Sequence, residues 1–270
     1  MRQWLSFDCH GACLAAALDA ADGETGLLIV SGGNEIQSGA HAGMAQLAAR
    51  IAARGFPTFR FDRRGTGDSD GSNSGYAGSA DDIAAAIAAF RRSAPGIRRL
   101  VLLGNCDAAT AIALFHRTWN VDALILANPW LIEQQHDLPP PAAIRARYGE
   151  RLRDPRQWLR LFSGRVNIAK LARGVAAISN GTVTDGLAAR VHQALATSSL
   201  PAHIILARRD ATALAFAEHW RSPAFADLRN SGRISLFEIE TASHSFARPA
   251  DAEALETQVL TVLAAVSGGL

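Results

Sequence analysis

The chain has 270 residues, of which 49% are hydrophobic, and its formal net charge is +2. This length suffices for one α/β domain with an insertion, and so small a charge argues against nucleic acid or a membrane surface as the partner. No apolar stretch approaches the roughly 20 residues that a membrane span needs, and three cysteines without a charged-then-apolar leader predict a cytoplasmic protein with no disulfide framework.

Short apolar runs follow one another along the chain, each bounded by Gly, Pro or a charged residue, as is typical of buried strands. We predict strands at residues 27–30, 58–61, 100–103, 123–126, 204–207 and 234–239. Segments with helical periodicity lie between and after them, at residues 41–54, 81–93, 108–119 and 251–266. This alternation predicts an α/β fold with a mostly parallel sheet flanked by helices, in which functional residues gather at the carboxyl ends of the strands.

Residues 131–196 interrupt the alternation. They contain a run of three prolines from Pro139 to Pro141 and no convincing strand, and their helical stretches are residues 144–153, 158–162 and 187–195. An insertion of this length predicts a helical cap or lid over the site, and it leaves residues 1–130 and 197–270 as the core. The segment has ten basic residues against five acidic ones, which fits either a docking face for an anionic carrier or a solvated helical surface.

The apolar run that ends at Gly104 is followed by Cys106 and an Ala-rich helical segment. This is the layout of a nucleophile elbow with sulfur in place of oxygen, in which the residues two before and two after the nucleophile must be small. Gly104 and Ala108 meet that need, and the N-terminus of the next helix would favour the thiolate form of the sulfur. A buried thiol with a packing role is the other interpretation of Cys106.

A nucleophilic thiol needs a base, and the base needs a residue that orients it. Asp210 and His244 each follow a predicted strand, and the order Cys106, Asp210, His244 is that of nucleophile, acid and base in an elbow-type site. Asp210 has an alternative role as the cap of the following helix, Asp185 is an alternative acid, and His244 has an alternative as an ordinary surface or core histidine.

An oxyanion hole is expected beside the elbow. We predict that the backbone N–H of Asp107 forms one half and that of Gly33 or Asn34 forms the other, since glycines let the loop after the first predicted strand approach a ligand closely. Gly32, His41 and Trp130 are predicted to line the site. The segment FDRRGTGDSDG, residues 61–71, lacks the full dinucleotide fingerprint and is interpreted as scaffold.

These motifs resemble the α/β-hydrolase superfamily and, within it, the exosortase A system-associated hydrolases of type 1. The resemblance spans about residues 26–250: the glycine loop, FDRRGTGDSDG, the Gly-x-Cys-Asp-Ala elbow and the Arg-rich stretch 148–161 of the insertion. It implies an α/β-hydrolase fold and a cytoplasmic bacterial enzyme associated with exopolysaccharide and protein-sorting gene clusters. The chain departs from the family at Asn34 and Glu35, where Pro-Gln is more usual, which leaves the oxyanion donor open.

Sulfur at the nucleophile position suits thioesters, because the entering and leaving groups are then alike, whereas expelling an alkoxide from an oxyester is harder. We therefore expect hydrolysis of an acyl thioester or ester, or acyl transfer, through a covalent acyl-enzyme. The expected substrate is a small molecule or an acyl group on coenzyme A or acyl carrier protein, and nothing in the sequence indicates an oligomeric state. The alternatives are a non-catalytic binding protein with the same fold and a redox protein in which Cys9 or Cys13 resolves Cys106.

No cofactor is expected, because the chain has neither a dinucleotide fingerprint nor a phosphate-binding P-loop. No metal site is expected either. Cys9 and Cys13 flank His10 with a spacing that zinc ligands use, but no second Cys/His pair follows to complete four ligands.

Overall fold

The centre of the fold is one eight-stranded sheet, described by a computed structural model for residues 1–132 and 186–269. The strand order is β1-β2-β4-β3-β5-β6-β7-β8. Strands β3 to β8 run parallel to one another, while β2 is antiparallel to both β1 and β4. The strands are β1 (Arg2–Cys9), β2 (Ala12–Asp19), β3 (Thr25–Val30), β4 (Thr58–Phe61), β5 (Arg99–Asn105), β6 (Ala123–Ala127), β7 (Ala202–Ala207) and β8 (Ile234–Ile239).

Helices cover both faces of the sheet. They are α1 (Gly43–Ala53), α2 (Ser79–Ser93), α3 (Asp107–Phe115), α4 (Leu187–Ala196), α5 (Ala211–Arg221), α6 (Ala226–Asn230) and α7 (Pro249–Ser267). Alternate residues of each central strand point to opposite faces, so Leu28 and Val30 pack with the helices α2 to α6, and Leu27 and Ile29 pack with α1 and α7. The predicted α/β-hydrolase fold is confirmed in the sheet and its flanking helices.

All six predicted strands are present, and those at residues 58–61 and 234–239 have the predicted bounds. The sequence analysis missed the hairpin β1–β2, whose two turn residues, His10 and Gly11, both have positive φ. This is the geometry of a tight two-residue hairpin. The hairpin extends the sheet at one edge, where β1 exposes Trp4, so β1 does not read as a buried apolar run.

The proposed cap lies mostly outside the described residues, because positions 133–185 are not described. The helix α4, which the sequence analysis assigned to the end of the insertion, packs against α3. Its Leu187, Ala188, Val191 and Leu195 are buried in the same core as the sheet. In the part of the chain that the structure describes, no helix is long and apolar enough to span a membrane.

Candidate active site

Cys106 lies on the turn between β5 and α3, with φ 60° and ψ −126°. A left-handed φ is strained for a residue with a side chain, so the surrounding contacts must hold it. The N–H of Cys106 donates to the carbonyl of Ala127 at 3.0 Å, and its carbonyl accepts from the N–H of Trp130 at 3.2 Å. The thiol is thereby presented, partly exposed, at the carboxyl end of a central strand.

Two glycines make room for this turn. A Cβ at Gly104 would lie 2.7 Å from the N atom of Ala109, and a Cβ at Gly32 would lie 2.3 Å from the carbonyl oxygen of Asn105. Contacts this short with backbone atoms require the chain to shift. The predicted need for a small residue two positions before Cys106 is therefore met at Gly104, and Gly32 supports the elbow from the neighbouring loop.

His244 and Asp210 come together from the loops after β8 and β7. His244 Nδ1 lies 3.0 Å from Asp210 Oδ2. Hydrogen bonds, first to Asp210 and then to Cys106, outweigh burial and raise the pKa of His244 to about 10. Burial acts to raise the pKa of Asp210, but the hydrogen bond and charge of His244 together with two backbone N–H groups lower it. The ring of His244 thus lies against the Asp210 carboxylate, and Cys106 is near enough to contribute to its raised pKa.

The predicted oxyanion donors differ in whether they already have a hydrogen-bond acceptor. The Gly33 N–H donates to Asp107 Oδ1 at 2.5 Å, so that amide is taken by a carboxylate. The N–H groups of Asn34 and Asp107 have no hydrogen-bond acceptor among the described residues. Of the two amides predicted from the glycine loop, Asn34 is therefore the one left free for a substrate.

Arg63 organises this loop, although the sequence analysis treated its segment as scaffold. The guanidinium is buried, donates to the Gly33 carbonyl at 2.7 Å and to Ser79 Oγ at 2.7 Å, and lies 3.3 Å from the Asp107 carboxylate. Asn73 adds a second bond to the Gly33 carbonyl at 2.9 Å. A cation beside the elbow is a feature that spacing alone did not indicate, because its partners lie on the loop after β3 and at the first positions of the helices α2 and α3.

A pocket of about 490 Å³ opens over the thiol. Its described lining combines the elbow with apolar side chains and two glycines: Gly33, Gly75, Tyr76, Cys106, Asp107, Trp130, Ile132 and Leu187. Trp130, one of the three residues predicted to line the site, is in this lining. Gly32 and His41 are not part of that described lining, and His41 lies exposed in a turn before α1. The alternative acid Asp185 falls outside the described residues.

The sequence analysis also missed two buried asparagines. Asn105 directly precedes Cys106, and Asn128 directly follows β6. Both donate to the carbonyl oxygen of His244, at 3.3 Å and 3.0 Å. A polar residue at the end of an apolar strand was the available signal, since the carboxyl ends of parallel strands share one edge.

The other two cysteines lie apart from the elbow. Cys9 is on β1 and Cys13 on β2, four and three strand positions from β5, which corresponds to about 19 Å and 14 Å of sheet. These separations far exceed what a disulfide spans. Cys9 is buried, and burial together with Asp82 raises the pKa of its thiol to about 11. Among residues 1–132 and 186–269, no three His, Cys, Asp or Glu side chains group as metal ligands.

A model of the alpha/beta hydrolase family matches residues 27–256. The chain belongs to the alpha/beta hydrolase family. The match includes the elbow, Asp210 and His244, and membership supports hydrolysis as the broad class of activity. None of the curated protein sequences compared with this chain matches it.

Several solved structures share the fold of this α/β hydrolase. An esterase of Pyrococcus furiosus has a TM-score of 0.64 at 14% identity, covering 97% of this chain and 90% of its own. The thioesterase domain from the curacin biosynthetic pathway has a TM-score of 0.57 at 14% identity, covering 96% and 99%. The α/β hydrolase GrgF from Penicillium has a TM-score of 0.60 at 17% identity, covering 97% and 98%. At these identities the likeness concerns the fold.

Proposed function

We propose that this α/β hydrolase cleaves acyl thioesters or esters, or transfers their acyl group, through a covalent intermediate on Cys106. His244 moves the proton and Asp210 orients and stabilises the imidazolium. The observation that carries the proposal is the position of the His244 ring, which bonds to Asp210 and lies near enough to Cys106 for that side chain to raise its pKa, while Cys106 itself lines an open pocket.

The raised pKa of His244 sets the starting state. With a pKa of about 10, the imidazole carries a proton at neutral pH. A cation next to the sulfur favours the thiolate, which is the nucleophilic form. In the proposed reactive form the proton is on His244 and the sulfur attacks as a thiolate, so no further base is needed.

In the acylation step, the sulfur of Cys106 forms a bond to the acyl carbon and the carbonyl π pair moves onto oxygen. As the oxyanion collapses, the bond to the leaving thiolate breaks, and the imidazolium of His244 gives its proton to that leaving group. The products are an acyl-enzyme, a free thiol and a neutral imidazole. Charge and protons balance without any added reagent.

The deacylation step uses the imidazole as a base. Once Cys106 is acylated, the thiolate no longer helps to hold a proton on His244, so the ring is free to accept one. It takes a proton from water, the oxygen of the resulting hydroxide attacks the acyl carbon, and collapse expels Cys106 as a thiolate beside the regenerated imidazolium. An alcohol or amine in place of water would give acyl transfer.

The N–H groups of Asp107 and Asn34 are the proposed oxyanion donors. Asp107 is the first residue of α3, so its N–H adds the positive end of that helix to the hydrogen bond. Asn34 is preferred to Gly33 because the Gly33 N–H is already bonded to the Asp107 carboxylate. This choice refines the expectation from the sequence, which left the two loop amides open.

The substrate and cellular setting are proposed from the resemblance and from charge. A carrier-linked acyl group, on coenzyme A or acyl carrier protein, fits a thiol nucleophile and the basic excess of residues 131–196. The resemblance to exosortase-associated hydrolases supports the proposal of a bacterial cytoplasmic enzyme in exopolysaccharide-linked chemistry. Both parts are extensions of the acyl-transfer proposal and depend on it.

Intact-protein mass spectrometry with short acyl thioesters and matched oxyesters tests the proposal. The wild type is expected to turn over thioesters faster than oxyesters, and the His244→Ala variant to form an acyl adduct on Cys106 more slowly but to retain it, because deacylation lacks its base. Cys106→Ala should give no adduct, whereas Cys13→Ala, which removes an exposed thiol outside the site, should behave as wild type. An acyl adduct that persists in Cys106→Ala would show that Cys106 is not the nucleophile, and thioester binding without turnover by the wild type would favour the non-catalytic binding role.

A further inference from the structure

Two buried side-chain amides hold the backbone of the loop that carries His244. Asn128 Nδ2 donates to the His244 carbonyl at 3.0 Å and also to Asn105 Oδ1 at 3.2 Å. Asn105 Nδ2 donates to the same carbonyl at 3.3 Å. Asn128 Oδ1 in turn accepts from the N–H of Ala207 at 2.8 Å. One carbonyl oxygen therefore receives two donors from side chains that also bond to each other.

These amides connect the ends of the strands that lead to the three site residues. Asn105 is the last residue of β5 and adjoins Cys106, while Ala207 ends β7 three residues before Asp210. Asn128 stands between them after β6 and is fully buried, and Asn105 is 7% exposed. Because buried amides without partners are costly, this network has little freedom to rearrange.

The backbone at Asn128 is also unusual. Its φ is 42°, in the left-handed region that asparagine tolerates better than most residues with a side chain. The strained conformation directs the chain after β6 while the side chain spans to β7 and to the loop of His244. Asn128 therefore both sets the direction of the chain after β6 and contacts the backbone of His244, the proposed base.

We propose that Asn105 and Asn128 are positioning residues that fix the His244 backbone so that its ring stays aligned between Asp210 and Cys106. This inference rests on the proposed function, since it concerns the same proton-transferring histidine. The start of the loop is held independently, because Ser243 N–H donates to Thr241 Oγ1 at 3.0 Å and Thr241 Oγ1 donates to Asp251 Oδ2 at 2.7 Å. The two asparagines hold the loop at His244 itself.

The test is a double-variant cycle read by the alkylation rate of Cys106, which needs no substrate. Iodoacetamide is applied at neutral pH to proteins carrying Cys13→Ser, so that Cys106 is the one cysteine that is not buried. Asn128→Ala is expected to slow alkylation about tenfold, because a displaced imidazolium no longer favours the thiolate. In a His244→Ala background, Asn128→Ala should change the rate by less than about twofold, since the ring it positions is gone.

Two further variants guard against a simple loss of folding. Asn128→Asp keeps the shape and the acceptor for the Ala207 N–H but replaces the donor with a carboxylate oxygen, so it should slow alkylation as much as Asn128→Ala. Gln37→Ala removes another buried amide, one bonded to Asp62, and should leave the Cys106 rate unchanged. Thermal unfolding confirms that each protein is folded at the assay temperature.

The outcomes separate the two proposals. If Asn128→Ala slows alkylation equally with and without His244, the network supports the elbow and does not position the base. If Cys106 of the wild type is alkylated fast and neither Asn128→Ala nor Asn128→Asp changes the rate, the positioning role is wrong and the proposed function stands. If the wild type alkylates no faster than His244→Ala, the activated thiol is absent and both proposals fail.

Discussion

The carboxylate of Asp210 holds the ring of His244 and caps a helix with the same oxygen atom. Oδ2 lies 3.0 Å from His244 Nδ1 and accepts from the N–H groups of Thr212 at 3.0 Å and Ala213 at 3.1 Å. The two roles that the sequence left as alternatives, helix cap and partner of the histidine, are both present. The first turn of α5 thereby fixes the carboxylate, and the carboxylate fixes the imidazole.

Asp210→Asn separates these roles. The amide oxygen still caps α5, but the negative charge that stabilises the imidazolium is lost, so acyl turnover is expected to fall by about 100-fold or more. The free energy of unfolding should fall with the loss of the charge that holds the imidazolium, and Asp210→Ala, which removes the cap as well, should lower it by about 1 kcal/mol more. Steady-state kinetics and urea unfolding measure the two effects. Turnover by Asp210→Asn near the wild-type level would contradict the role of the charge.

The raised pKa of His244 predicts a specific dependence of stability on pH. The ring holds a proton up to about pH 10 in the folded state, but only to about its ordinary value of 6.5 when the chain unfolds. Its contribution is therefore fully present below pH 6.5 and is lost as the pH rises from there to about 10. Urea midpoints measured across this range should fall more steeply for the wild type than for His244→Gln.

The contribution of Asp210 to stability changes with pH in the opposite direction and provides a check on that experiment. Its pKa is lowered in the folded state, so its contribution is present above the ordinary carboxyl value and is lost as the pH falls below it. The two groups thus act in separate pH windows. Parallel slopes for the wild type and His244→Gln between pH 6.5 and 10 would mean that the ring is not held protonated by its partners.

The elbow predicts a steric cost that can be measured without any substrate. Gly104→Ala would place a Cβ 2.7 Å from the backbone N of Ala109 and from Cδ1 of Ile112. We expect a loss of about 2 kcal/mol in the free energy of unfolding, because a packed strand-to-helix turn has no room to shift. Gly96→Ala is the control, since a Cβ there has nothing within 4 Å. Equal midpoints for the two variants would show that the turn is not tightly packed.

Patterns of burial made the sheet and the Asp210–His244 contact predictable. Parallel strands are buried on both faces and read as apolar runs, and residues just after their carboxyl ends meet at one edge whatever their distance in sequence. Asp210 and His244 are 34 residues apart in sequence, yet their side chains touch. The edge strand β1 could not be predicted in this way because only two of its eight residues are buried.

The spacing of residues in the sequence does not indicate which backbone N–H groups are already bonded to side chains. Whether Gly33 or Asn34 offers its N–H depends on the rotamer of Asp107, and that rotamer depends on Arg63, which arrives from the loop after β4. Such three-way contacts leave no periodic trace in the sequence. The residues of segment 61–71 are structural in part, but Arg63 reaches the elbow, so its interpretation as scaffold alone was incomplete.

The three cysteines should differ sharply in reactivity. Cys106 is expected to react with iodoacetamide first, because a protonated His244 favours its thiolate, and the exposed Cys13 second. Cys9 should resist labelling, since it is buried and its pKa is raised to about 11. Time-resolved peptide mass spectrometry ranks the three rates. Labelling of Cys106 no faster than Cys13 would remove the basis for an activated nucleophile, and a Cys106 disulfide after mild oxidation would favour the redox alternative.

We predict that substitutions at Asp107 and Arg63 lower the free energy of unfolding and that their effects are coupled. Arg63 is 3% exposed, so Asp107→Asn leaves a buried cation without its carboxylate and should lower the free energy of unfolding by about 2 to 4 kcal/mol. Arg63→Met alone should also destabilise, because the Gly33 carbonyl and Ser79 lose a donor.

The double variant decides whether the pair acts through its charges. Asp107→Asn with Arg63→Met removes both charges together, so its loss should be smaller than the sum of the two single losses. Chemical unfolding of the four proteins gives the coupling free energy directly. Strictly additive losses would mean that the two side chains stabilise the elbow independently, and that the Asp107 carboxylate lies on the Gly33 N–H for reasons other than the neighbouring guanidinium.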